Sequence, residues 1–286
     1  MSHPVIRRTE SHFHGARGHS LLQRAWLPRE PEQVLLLVHG YGEHSGRYEH
    51  VGAWLAARGC AVHAFDQQGH GRSSGRRCHV RRFGDFLDDL AIVQARAAAQ
   101  HPGLPLFPVG HSMGGLIVAS YARERSPDVA GVVLSGPALA LGDDVPKGRL
   151  LAARLLRWLA PWLAVPAGLD AEGLSRDPAV VRAYIDDPLV YDRMTLSLAA
   201  ELFAAIERTA GGAGDVGVPV LLLHGGADPL CPERGSRAFH AGLRPDGCDL
   251  RVYPELRHEI FNEPERESVF EDLLGWVRAR AGAREA

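Results

Sequence analysis

The chain of 286 residues carries 32 basic and 34 acidic side chains, a formal net charge of −2, and 45% hydrophobic residues. That length can bury a full core, as one large domain or one domain with an insertion. The near-neutral balance leaves no electrostatic footprint for nucleic acid, no window approaches the eighteen apolar residues of a membrane-spanning helix, and residues 1–8 lack the apolar core of an export signal.

Residues 12–26 alternate and carry Gly15 and Gly18, which predicts an N-terminal hairpin. Residues 34–38 form a short continuous apolar run, and 61–65, 104–109, 129–134, 218–223 and 250–253 are further strand candidates. Runs apolar on both faces suit a parallel sheet covered by helices. Helical patterns fall between them at 48–58, 83–100, 112–125, 233–243 and 266–280. The alternation predicts an α/β fold with a mostly parallel central sheet flanked by helices. It breaks between Pro137 and Gly214, where the pattern is helical with no strand, and residues 211–214 read as a flexible return. The expected organisation is a core of residues 1–136 and 215–286, with an inserted helical cap at 137–214 over the sheet's C-terminal edge. Cys60, Cys78, Cys231 and Cys248 show no C-x-x-C spacing and read as free thiols of a reducing cytoplasm.

Gly110-His111-Ser112-Met113-Gly114 lies between a predicted strand and a predicted helix. A serine on that turn projects its hydroxyl from the top of a sheet, and the flanking glycines tolerate the turn. A hydroxyl needs a base to become nucleophilic, and on this fold the partners follow in the order Ser, Asp, His. Asp228 lies in the turn after the strand near 220–223, at the C-terminal end where open α/β sheets build their sites. His258 follows the last strand. The expected triad is Ser112 as nucleophile, His258 as general base and then acid, and Asp228 as its anchor. The expected oxyanion donors are the backbone amides of Met113, which follows the nucleophile, and Tyr41, in the loop His39-Gly40-Tyr41-Gly42 after the first core strand. Activity is expected to rise with pH near an ordinary histidine pKa of about 6.5, because the base must be neutral.

Four blocks carry a family resemblance. Residues 39–48 (HGYGEHSGRY) resemble the oxyanion loop of the monoacylglycerol lipase and lysophospholipase family of α/β-hydrolases. Residues 66–75 are similar to its D-x-x-G-H-G-x-S-x-G segment, 110–115 to its G-H-S-M-G-G elbow, and 225–231 to its acid loop. The resemblance implies an α/β-hydrolase that cleaves a carboxylic ester, most directly a monoacylglycerol, into glycerol and a fatty acid through an acyl-serine. It implies a lipid ester as the small-molecule partner, no cofactor and no metal. Rival readings are a lysophospholipase, a short-chain carboxylesterase, and a catalytically silent hydrolase-fold binding protein.

Other features have plainer readings. Asp66 precedes the nucleophile strand and is expected to tie down the loop at 69–75; His224, just inside a strand end, is expected to be structural. His12 and His14 have strand spacing that suits a hairpin face better than a metal site. Arg72, Arg76, Arg77, Arg81 and Arg82 read as a solvated loop. Cys231 is either reactive near the site or inert. In the cap, Leu151, Leu155, Trp158 and Trp162 repeat at helical spacing; the stripe can line an acyl tunnel, pack on the core, or make transient contact with a lipid surface. Glu201 and Asp186 are candidates to meet the alcohol.

Overall fold

The computed structural model describes residues 5–142, 148 and 155–282. β1 (Arg7–His14) and β2 (Ser20–Leu27) form the expected antiparallel hairpin. β2 pairs antiparallel with β4 (Cys60–Phe65), which pairs parallel with β3 (Gln33–Val38). From β3 the sheet runs in parallel through β5 (Leu106–His111), β6 (Val132–Ser135), β9 (Val220–Gly225) and β10 (Asp249–Tyr253). The eight-stranded order is β1-β2-β4-β3-β5-β6-β9-β10.

The central strands β3, β4, β5, β6 and β9 are buried along their whole length, so both faces need cover. Successive side chains point to opposite faces. Val34, Leu36 and Val38 accordingly join one core, with helices α2 (Gly84–Gln100) and α3 (Met113–Arg125). Leu35 and Leu37 join the other, with α1 (Glu49–Ala56) and α7 (Arg266–Gly282). β5 and β9 end two residues later than their apolar runs, at His111 and Gly225. At the catalytic edge the strand backbone continues while the side chains turn polar.

Between β6 and β9 the chain leaves the sheet. This stretch holds α4 (Pro178–Asp186), capped by the Asp177 side chain, and α5 (Leu196–Ala210), capped by the Thr195 hydroxyl. It is not purely helical: β7 (Ala164–Pro166) pairs antiparallel with β8 (Arg193–Thr195). Three-residue strands are too short for a readable alternation, and Pro166 ends one of them. The glycine-rich return at 211–214 is ordered by the turn Ala213–Asp215, with Gly212 against Arg123. α6 (Glu233–Gly242) and the 249–253 strand complete the core. Among the described residues no helix is long and apolar enough to cross a membrane.

Candidate active site

Ser112 sits between β5 and α3 with φ 55° and ψ −118°, a region that non-glycine residues rarely occupy. The turn is held by the Ser112 amide donating to Ser135 O at 3.0 Å and by the Leu116 amide donating to Ser112 O at 3.1 Å. A Cβ at Gly114 would lie 2.1 Å from Val38 O, so only glycine lets α3 close onto β3 here.

The other two residues of the expected triad meet beside it. His258 Nδ1 lies 2.7 Å from Asp228 Oδ2, and His258 shares a small cavity with Ser112. Asp228 is anchored in turn: its Oδ1 accepts from the Leu230 and Cys231 amides at 2.8 and 2.9 Å. Burial opposes the charge of Asp228, but His258, His224 and the Cys231 amide outweigh it and hold the carboxyl far below its ordinary value. Burial alone would lower the pKa of His258; the adjoining Asp228 charge and hydrogen bond overcome that and raise it above the ordinary 6.5. The acid limb of a reaction using this base therefore lies above 6.5, higher than the sequence suggests. His224 donates or accepts at Ser236 Oγ (2.7 Å) and reaches Cys231 O (2.9 Å), bracing the acid loop. The buried Cys231 lies against Ser112, and desolvation pushes its thiol well above the normal range, which keeps it protonated.

The loop expected to hold the oxyanion, residues 39–42, leaves β3 and passes close to Ser112, where a Cβ at Gly40 would lie 3.2 Å from Ser112 Cβ. Tyr41 and Met113, the expected donors, both line the cavity that reaches Ser112. Gly42 has φ +71°, and a Cβ there would lie 2.4 Å from Tyr191 O. Asp66 ties down two loops: its carboxylate accepts from the Arg72 amide at 2.8 Å and the Ser45 amide at 2.9 Å.

A buried ion network beside Ser112 has no counterpart in the sequence reading. Glu43 Oε1 accepts from the Gly40 amide at 2.6 Å and from the Tyr48 hydroxyl at 2.8 Å. Arg47 donates to Glu43 at 2.8 Å and to both oxygens of Glu259 at 2.5 and 2.7 Å. The loop from Gly40 to Glu43 is thus bolted through Arg47 to the residue next to His258. Burial opposes ionisation of Glu259, but the Arg47 charge brings its pKa down to about 2. The only sequence signal was Glu43 and Arg47 at i,i+4 inside a motif block; Glu259 lies 212 residues from Arg47.

Ser112 stands where two cavities meet. One, of about 60 Å³, is lined by Glu43, His111, Tyr184, His258 and Glu259. The other, of about 480 Å³, is apolar, with Met113, Leu141, Met194, Leu202, Phe203 and Ile206 among its walls. Asp186 is exposed, and Glu201 instead accepts from the Phe83 amide and pairs with Arg157, so neither reaches the small cavity. Of the cap stripe, Leu151 lies outside the described residues; Leu155, Trp158 and Trp162 are exposed and line neither cavity, whereas Leu156 does line the apolar one. Among the described residues, no group of three or more His, Cys, Asp or Glu is arranged to hold a metal ion.

The family model described as serine aminopeptidase, S33 (Hydrolase_4) matches residues 29–265. A monoacylglycerol lipase from Mycolicibacterium smegmatis is 39% identical, covering 94% of this chain and 97% of that protein. A monoglyceride lipase from Homo sapiens is 35% identical, covering 94% and 90% respectively. The crystal structure of the Paleococcus ferrophilus monoacylglycerol lipase superposes with a TM-score of 0.81 at 34% identity, covering 96% of this chain and 99% of that one.

Proposed function

The chain belongs to the monoacylglycerol lipase-like family of α/β-hydrolases within the serine aminopeptidase S33 group and is a carboxylic ester hydrolase; we propose that it hydrolyses monoacylglycerols with Ser112, His258 and Asp228 as its triad. The observation that carries this reading is the asymmetry around Ser112: a cavity of about 480 Å³ with apolar walls on one side, and on the other a cavity of about 60 Å³ whose mixed lining brings in Glu43, Tyr184, His258 and Glu259. An ester of one long acyl chain and one small polyol fits that division.

In the proposed reaction the acyl chain lies along α5 and the glycerol beside Glu43 and Tyr184. Ser112 Oγ attacks the carbonyl carbon as His258 takes its proton. The amides of Tyr41 and Met113 receive the oxyanion, each donor being worth roughly 3 kcal/mol in the transition state. His258 returns the proton to the departing alcohol, then takes one from the water that releases the fatty acid. Residues 137–214 act as the cap that encloses the chain. The small cavity also argues against a phosphate head group: the carboxylates Glu43 and Glu259 both line it, and only the Arg47 guanidinium behind them pairs with the two, so an anion there meets excess negative charge. The scattered unpaired cysteines favour a cytoplasmic enzyme, and the exposed apolar residues of the cap favour transient contact with the lipid that holds the substrate.

The test is turnover of a monoacylglycerol series from octanoyl to oleoyl, beside p-nitrophenyl butyrate and lysophosphatidylcholine, by the wild type and Ser112→Ala. Serine-dependent release of fatty acid from the monoacylglycerols, with lysophosphatidylcholine slower, is expected. Activity confined to the butyrate ester would overturn the substrate class and keep the mechanism.

A further inference from the structure

Among the described residues, the large exposed apolar side chains concentrate between 155 and 169. Trp158 and Leu159 are 79% and 76% exposed, and Leu155, Trp162 and Leu163 are about half exposed or more. Leu156 and Leu169 belong both to this face and to the wall of the apolar cavity, so the cavity opens onto it. The face is fixed to the start of α5: the Leu196 amide donates to Leu163 O at 2.9 Å and the Ser197 amide to Pro161 O at 3.1 Å.

The other side of the same α5 terminus is held by the arginine-rich loop. Cys78 O accepts from the Thr195 amide and hydroxyl, and Val80 O from the Ser197 hydroxyl at 2.6 Å. The loop's Arg76, Arg77 and Arg81 are exposed and form no ion pair among the described residues. His79, which touches the Thr195 hydroxyl, lies within the field of Arg76 and Arg81. Arg193 is exposed on β8, paired with Pro166 on the strand that borders the cavity. In a chain of net charge −2, four exposed arginines thus stand on the loop and strand that hold the start of α5 beside this face; Arg193 also donates to Ala164 O at 2.7 Å, and the exposed Asp192 adjoins it. A solvated loop needs no such arrangement, and a neutral lipid surface gives it nothing to bind.

We infer that this arginine-rimmed face docks on an anionic lipid bilayer, with Leu155, Trp158, Leu159 and Trp162 entering the acyl boundary and Arg76, Arg77, Arg81 and Arg193 pairing with headgroup phosphates. Docking so oriented sets the cavity mouth against the membrane from which a single-chain ester leaves. The inference rests on the cap contact proposed above and adds charge selectivity to it.

The experiment is vesicle sedimentation of the Ser112→Ala protein, which separates binding from hydrolysis. The vesicles are pure phosphatidylcholine or contain about one third phosphatidylglycerol. Stronger partition onto the anionic vesicles, weakened by salt, is expected. Arg77→Gln with Arg81→Gln should lower that partition about 25-fold, near fivefold for each charge, and leave neutral vesicles unaffected. Trp158→Ser with Leu159→Ser should weaken binding to both. The same arginine changes in the Ser112 background should leave hydrolysis of p-nitrophenyl butyrate unchanged, which verifies folding. Equal binding to both vesicle types, or indifference to the arginine changes, would overturn the charge selectivity while the tryptophan variant still tests the cap contact. Binding to neither, with a concentration-dependent dimer abolished by Trp158→Ser, would overturn both and assign the face to a second copy of the chain.

Discussion

The loops at the sheet edge and the cap stretch above them solve opposite problems. At the edge, two buried hydrogen-bonded sets flank Ser112, His258 with Asp228 and Arg47 with Glu43 and Glu259, and most of their polar atoms have a named partner. The stretch from 155 to 169 instead leaves seven large apolar residues at least 44% exposed and is secured by few polar contacts. One region fixes positions to fractions of an ångström, as preorganised catalysis requires. The other presents surface, and its composition matters more than its coordinates.

That contrast predicts which substitutions are severe. The largest effect belongs to Ser112→Ala, which removes the nucleophile proposed to form the acyl intermediate. A fall in kcat of about six orders of magnitude is expected, measured on p-nitrophenyl butyrate so that the cap plays little part. Next is Asp228→Asn, expected to cost about 10⁴-fold in kcat through loss of the imidazole's orientation and tautomer. It carries a second signature. His258 must be neutral to act, and its pKa is held above 6.5 by Asp228. Wild-type activity should therefore rise with pH through a midpoint above 6.5, and the variant's midpoint should fall below the wild type's. A midpoint unmoved by Asp228→Asn would break the assignment of Asp228 as the partner of the base.

Arg47→Met tests whether the edge is as tightly coupled as its hydrogen bonds suggest. It leaves Glu43 and Glu259 buried without their shared cation, which typically costs 3–5 kcal/mol of stability. It also frees the Gly40 amide's acceptor to shift, and a displacement of that kind costs about 10²-fold in rate. The loss should fall mainly on kcat. Arg47→Lys should recover only part of it, since a point charge cannot bridge two carboxylates as a guanidinium does. Thermal unfolding with steady-state kinetics on the butyrate ester reads both effects.

The same contrast decides what could be read from the chain itself. The strands of the parallel sheet are legible because burial on both faces writes unbroken apolar runs, and the elbow because a strained turn demands glycines at fixed positions. Asp228 and His258 are legible from chain order, since each follows a strand. Glu259 is not: its role comes from Arg47, brought close only by the fold. The β7–β8 pair left no pattern because three residues carry no period. The stripe at Leu155, Trp158 and Trp162 has a helical period whether it faces a cavity, a core or solvent, so periodicity could not choose among them; exposure does.

The smallest predicted effect sharpens that last point. Phe203 on α5 lines the apolar cavity, whereas Trp158 lies outside it. Phe203→Ala should lengthen or widen the acyl site and shift the ratio of oleoyl to octanoyl turnover toward the longer chain by about tenfold, within the 1–3 kcal/mol that a change of pocket contact commands. Trp158→Ala, measured with monomeric substrate, should leave that ratio unchanged. If both changes moved the ratio alike, the exposed segment would have to fold inward around the bound chain, and the division between a fixed edge and a surface-presenting cap would fail where the two regions meet.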